Sequence, residues 1–198
     1  MKTAPLVIAF IIVCCSATSY SQANYLKQVR AFRADYIMRH EVVKGKDKSL
    51  FRFFPLDSTY RVSASFEKIT DTIGFSMKTS AGTTQDYFKY GKVSFALRDT
   101  VLELFIYQSK KLRYTTYKDY LFIPFTDNTT GDLTYAAGRY IDLLITDIKN
   151  NRLTVDFNKA YNPYCAYAPG YHCPLPPREN FAPMAIKAGE KTFAGKNH

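Results

Sequence analysis

The sequence predicts a mainly β protein: an antiparallel β-sandwich or partly open barrel with one N-terminal amphipathic helix and a Pro-rich C-terminal coil. Three observations carry this expectation. Short runs of alternating apolar and polar residues recur beyond residue 50 with turn-forming residues between them, the pattern of strands half-buried in a sandwich or barrel. A helical period of 3.6 is confined to the region before those runs, so a doubly wound α/β fold is not expected. The 198 residues are 46% hydrophobic and 16% aromatic, with no Trp. That is too much apolar mass for a disordered or fibrous chain, and the length suits one globular domain.

Residues 1–23 read as a secretory signal peptide. Lys2 is the only charge before Lys27, Leu6 to Cys15 is unbroken apolar (LVIAFIIVCC), and small polar residues follow from Ser16. The run is shorter than the roughly 20 residues that a spanning helix needs. A buried N-terminal strand or helix is the alternative. Cleavage is expected between Ser19 and Asn24, where Ser21-Gln22-Ala23 places small residues two apart. Lipid anchoring at Cys14 or Cys15 is less favoured, because Val13 stands where lipoprotein processing prefers a small residue. The expected protein is therefore exported, to the periplasm or beyond, with a single domain over residues 24–191 and a short tail over 192–198.

Asn24 to Arg39 places Tyr25, Val29, Phe32 and Tyr36 on one stripe, reinforced by Leu26 and Ile37, with Lys27, Arg30, Arg33 and Arg39 mostly off it. This is an amphipathic helix packed on the body, since Tyr and Val make a weak lipid-facing surface. Val42 to Ser49 is Lys-rich and reads as a loop. Strands are expected around Tyr60–Phe66, Ile73–Met77, Val93–Leu97, Leu102–Ile106, Leu121–Phe125, Tyr140–Ile145 and Leu153–Phe157, with a polar turn at Lys149-Asn150-Asn151. Residues 160–183 hold six prolines and four tyrosines, so this stretch is neither a central strand nor a helix. Leu175, Phe181, Met184 and Ile186 give it apolar groups to bury, as in an ordered coil strapped across the sheet. Cys165 and Cys173 lie within it and, in an oxidising compartment, pair most simply as a disulfide. A metal site with His172 matches no common zinc spacing. No cofactor and no metal centre are expected.

Catalytic signatures are absent. The sequence has no Gly-x-Ser-x-Gly, no phosphate-cradling Gly-rich loop and no His-Glu-x-x-His, and its three histidines are His40, His172 and His198. Carboxylates at Asp127, Asp132, Asp142 and Asp156 are available, but nothing in the spacing sets their separation. One dense polar stretch runs from Phe125 to Tyr140. Its Asp127–Gly131 part is turn chemistry. Arg139 suits either a bidentate clamp on an anion or a structural pair with Asp142 or Asp156.

The run Phe125-x-Asp127-x-Thr129-Thr130-Gly131-x-x-Thr134-Tyr135-x-x-Gly138-Arg139-Tyr140-x-Asp142 resembles a bacterial family known as domain of unknown function 1684. So do Val155 to Ala166, Cys173-Pro174-Leu175-Pro176-Pro177-x-Glu179-Asn180 and Ile186 to Lys191. The resemblance implies no established activity. It points to Asp127, Thr130, Tyr135, Arg139, Asp156, Asn158, Tyr161 and Asn162 as the positions of a site.

The function these readings favour is binding of a small polar or anionic ligand around Arg139. Two alternatives are a hydrolase-type enzyme using Asp127 or Asp156 with Tyr135 or Tyr161, and a basic surface protein of the envelope. The formal net charge is +10, and Tyr107, Tyr114, Tyr117 and Tyr120 interleave with Lys110, Lys111, Arg113 and Lys118. For an exported chain this pattern favours weak contact with an anionic envelope surface, and no nucleic acid is expected as partner.

Overall fold

The alternating runs are strands, and they pair antiparallel in chain-neighbour order almost throughout. The computed structural model describes residues 5–195, with side chains from Gln22 onward. Of the residues read as a leader, 1–4 lie outside the described residues, 5–23 are helical as the first part of α1, and the side chains before Gln22, those of Cys14 and Cys15 among them, lie outside those described. Helix α1 spans Pro5–Arg39, followed by β1 (Arg61–Lys68), β2 (Phe75–Lys78), β3 (Thr84–Leu97), β4 (Thr100–Ser109), β5 (Tyr120–Asp127), β6 (Arg139–Leu144), β7 (Arg152–Asp156) and β8 (Phe181–Ala182). The sheet order is β6-β5-β4-β3-β1-β7, with β2 added to β3 and β8 running parallel to β5. β6 and β7 sit at its two ends, so the sheet curls into a half-barrel without closing.

Each expected strand is present. The differences are one of length and one of existence. β3 extends back to Thr84, because its first half pairs with β2 from Phe75↔Tyr87 to Lys78↔Thr84 before its second half pairs with β1. β8 is a two-residue strand within the stretch expected as coil, since two residues carry no period. The expected loop before residue 50 contains a 3-10 turn over Gly45–Leu50. The turn at Asn150-Asn151 has φ of 51° and 55°, and Lys149 and Arg152 exchange both backbone hydrogen bonds at 2.9 Å across it. Asn tolerates that left-handed backbone, which suits a two-residue hairpin.

The alternation sorts the central strands into two faces. Leu102, Leu104 and Ile106 of β4, Leu121, Ile123 and Phe125 of β5, and Ile141 and Leu143 of β6 join an aliphatic core with Val155, Phe157 and Ile186. The residues between them point the other way: Tyr107, Phe122 and Tyr140 form a second, aromatic cluster with Met77 and Tyr87. β5 is therefore buried on both faces, which explains its nearly continuous apolar sequence.

β4 and β5 share a single ladder pair, Tyr107↔Phe122. Beyond it the strands part, and Asn180 fills the gap. Its amide oxygen accepts from Phe105 N (2.8 Å), and its amide nitrogen donates to Phe105 O (2.9 Å) and Pro124 O (2.7 Å). One side chain thus replaces the missing rungs. Just beyond, β8 pairs with β5 at Thr126↔Phe181 and Asp127↔Ala182. Upstream, Cys165 and Cys173 form a disulfide-capable pair with Cα atoms 6.3 Å apart. Ser80 N donates to Cys173 O (2.9 Å) and Leu175 N to Lys78 O (2.8 Å), which docks this loop on the end of β2. Among the described residues, no helix is long and apolar enough to cross a membrane.

Candidate functional site

Arg139, the centre of the sequence-level site, begins β6 directly after Gly138. Gly138 has φ +87°, and a Cβ there would lie 2.7 Å from Phe125 O, so only glycine turns the chain here without strain. Arg139 is 1% exposed, and both terminal nitrogens of its guanidinium are engaged. Nη2 donates to Asp127 Oδ2 (3.1 Å) and Ile186 O (3.0 Å), while Nη1 donates to Glu190 O (3.2 Å) and to Ala188 O. Burial pushes Arg139 below its usual pKa, opposed by the nearby charges of Asp127 and Glu190. Asp127 also accepts from Ile186 N (2.8 Å) and from Thr129 N (3.0 Å) and its hydroxyl (2.6 Å). Thr130 Oγ1 accepts from Asp127 N at 2.9 Å. The ion pair is therefore a clamp holding residues 186–190 to the sheet. Its carboxylate comes from Asp127, not from Asp142 or Asp156 as the sequence suggested, because the turn at 127–131 folds the Asp back beside the start of β6.

Asp156 and Asn158 belong to a second cluster under α1. Asp156 accepts from Tyr25 OH (3.0 Å), and the Asn158 amide donates to Tyr25 OH (2.9 Å) and Asp57 O (2.7 Å). Arg33 of α1 donates to Asn158 O at 3.1 Å. Asn162 belongs to a third cluster around Glu190, whose carboxylate accepts from Asn162 N (2.9 Å), Tyr36 OH (3.2 Å) and Tyr167 OH (2.7 Å). Tyr135 is half-buried and packs beside Val43, Phe51 and Tyr167. Glu190 thus touches both Arg139 and Asn162, but Asp127 and Asp156 sit in separate clusters.

Burial pushes the Glu190 carboxyl up to about 7, even though its hydrogen bonds favour the ionised form. The unfolded chain ionises this group near pH 4.5 and the folded chain near 7. Stability from this group is thus full below about pH 4.5 and falls as pH rises to about 7, by on the order of 3 kcal/mol. His40, pushed down to about 4 mainly by burial, slopes the opposite way over nearly the same window. The difference between the native chain and Glu190→Gln isolates Glu190. It should shift by on the order of 3 kcal/mol in favour of the variant between pH 4.5 and 7, measured by urea unfolding at both pH values. An unchanged difference would refute this.

Tyr161 is the predicted site residue that lines an open cavity. It pairs with Tyr140 as an extra rung beside β6, with Tyr140 N to Tyr161 O at 2.9 Å and Tyr161 N to Tyr140 O at 3.0 Å. This carries the aromatic face of the sheet one residue past its edge. The cavity of about 670 Å³ lies on that face, between the sheet, the end of α1 and the loop around Pro174. Its floor includes the cross-strand partners Phe122↔Asp142. The rings adjoin as a wall: Tyr87–Phe122 at 5.2 Å between centroids, Phe122–Tyr140 at 5.5 Å and Tyr140–Tyr161 at 5.9 Å, the last two edge to face.

Two carboxylates line this cavity: Asp35, paired with Arg39 at 2.7 Å, and Asp142, which has no ion-pair partner among the described residues. Tyr120 OH (2.7 Å) and Tyr161 OH (2.6 Å) both donate to Asp142 Oδ1. No described protein donor reaches Oδ2. Solvent reaches the side chain through the cavity mouth, while the surrounding walls withdraw enough water to push its pKa up against those two hydrogen bonds. Burial pushes Tyr120, Tyr140 and Tyr161 well above the usual phenol value, so they stay neutral donors.

A model of the family described as Protein of unknown function (DUF1684) matches residues 49–191, well over half of the chain. The chain belongs to the DUF1684 family. Of solved structures, the solution NMR structure of an uncharacterized protein from Haloarcula marismortui is similar to this DUF1684 chain. The two are 29% identical with a TM-score of 0.66, over 87% of this chain and 97% of that one. No curated protein matches. The DUF1684 motifs read from the sequence are mostly the clamp and the strap. The cavity draws Phe32, Tyr36 and His40 from outside the matched region.

Sequence reasoning passed over Asp142, Tyr120, Phe122 and Tyr140 as a group. One signal was available: Asp142 stands alone as a charge within Tyr140-Ile141-Asp142-Leu143, on the face opposite Ile141 and Leu143. The basic–aromatic stretch is split by the fold, with Tyr107 fully buried while Tyr114 and Tyr117 are exposed. Lys110 and Arg113 lie over the Phe88 ring, at 5.1 and 4.8 Å.

Proposed function

We propose that this protein binds a small ligand in the aromatic cavity around Asp142, and that it does so after export as a single unit over residues 24–191. The carrying observation is the coincidence of an open, aromatic-rich cavity with a carboxylate oxygen, Asp142 Oδ2, that no described residue bonds. Its volume lies in the range of roughly 300–1,000 Å³ typical of small-molecule sites. The site is displaced from Arg139 to the far side of β6, because Arg139 is buried and both its terminal nitrogens are spent on the protein. Export is supported by the apolar run before Ser16 and by the Cys165–Cys173 pair. Tyr25 and Val29 are buried, so cleavage between Ser19 and Asn24 would leave the packed part of α1 on the domain.

The test is a ligand-observed NMR screen of small metabolites against the full chain and against Ser109→Phe, which puts a ring into the cavity from the end of β4. Compounds that bind the native chain should lose at least tenfold in affinity with the variant. A screen without binders, or binders indifferent to Ser109→Phe, would remove the reading.

A further inference from the structure

The ligand chemistry follows from which polar groups of the cavity are still free, and it rests on the reading of the cavity as a ligand site. Tyr120 and Tyr161 spend their hydroxyls on Asp142, and Tyr140 donates to Pro174 O. Tyr36 donates to Glu190 (3.2 Å), and Gln85 uses its amide on His172 O (2.8 Å) and on Tyr87 OH (3.1 Å). Arg39 is paired with Asp35 at 2.7 Å. A sugar would meet few free partners for its hydroxyls. An anion would find Lys111, exposed at the rim, and the Asp142 carboxylate facing it. What is left is the buried Nε2 of His40 at the α1 end of the cavity and Asp142 Oδ2, the one of these atoms that carries charge, set beside Phe122 and close to rings that meet edge to face.

We propose that the cavity takes an organic cation, an alkylated ammonium group seated against Asp142 Oδ2 among the rings of Phe122, Tyr140 and Tyr161. Aromatic faces carry negative potential and attract such a cation, more strongly where water is excluded. Its alkyl groups need no hydrogen bonds, which matches walls whose polar groups are for the most part already satisfied. Asp142 supplies the counter-charge, since Asp35 is already paired with Arg39. Lys111 stands at the rim in water, where its repulsion is screened.

The experiment is isothermal titration of the full chain with choline and tetramethylammonium, and with 3,3-dimethylbutan-1-ol, which has the shape of choline without its charge. Glucose and acetate complete the panel. Choline should bind at least tenfold more tightly than its neutral counterpart. It should lose at least tenfold in Asp142→Asn, whose amide oxygen still accepts from Tyr120 and Tyr161. Should Asp142→Asn fold poorly, the comparison of choline with its neutral counterpart on the native chain decides. Equal binding of the two, unchanged choline binding in a folded Asp142→Asn, or no binding of either cation would overturn the proposal. Glucose or acetate bound in place of the cations, and blocked by Ser109→Phe, would overturn it while leaving a ligand site. If nothing in the panel or the metabolite screen is blocked by Ser109→Phe, the ligand site falls as well.

Discussion

Replacing Arg139 with methionine should cost about 3–5 kcal/mol of folding stability, the range for removing one partner of a buried ion pair. Methionine keeps most of the bulk, so the loss is electrostatic. Asp127 would keep its charge in a site where its side chain is 0% exposed, with only hydroxyl and backbone donors to hold it. The carbonyls of Ile186, Ala188 and Glu190 would lose a shared donor, at about 1–3 kcal/mol for each group left unsatisfied, summed less than additively. Set against a total stability of about 5–15 kcal/mol for a typical domain, that is a large share. Urea unfolding measures it. The pair Asp127→Asn with Arg139→Met should be milder than the sum of the single changes, because the stranded charge goes with its partner. A loss below about 1 kcal/mol in the single variant would show that the guanidinium does not hold the C-terminal segment.

Asn180→Ala should cost about 3 kcal/mol or more, since three backbone groups of β4 and β5 lose their partner at once. Asn180→Asp should fare no better, because a carboxylate cannot donate to Phe105 O and Pro124 O. The amide of Phe105 gives a local readout: its hydrogen exchange should accelerate in both variants relative to the unaffected ladder between β3 and β4. Protection at Phe105 that survives in Asn180→Ala would mean that the strands close the gap themselves.

The strands were legible because alternation is imposed locally, by the two faces of a pleated chain. Leu102-x-Leu104-x-Ile106 and Leu121-x-Ile123-x-Phe125 are each enough to define a face. The helix stripe was legible for the same reason, although Phe32 turns out 39% exposed at the cavity rim instead of packed. The clamp residues were legible as a group, Asp127 with Arg139, but not in their role. A buried anchor and a ligand anchor use the same chemistry, and only burial separates them. The cavity was not legible, because it is assembled from a few residues each of α1, β3, β5, β6 and the coil, with Ser109 from the end of β4. The link between Asp142 and Tyr161 depends on an isolated backbone bridge that leaves no periodic trace. The length of β3 escaped for a similar reason: Thr84 to Tyr90 is polar and alternates weakly, and its strand state is dictated by β2.

The seam between β4 and β5 also bears on when the protein becomes whole during synthesis. Phe105 waits for a residue 75 positions further on, and the clamp at Arg139 waits for carbonyls 47 to 51 positions later. A nascent chain that has not yet delivered Asn180 has both central strands but lacks the piece that joins them. Completion is thereby deferred to the last stages of elongation.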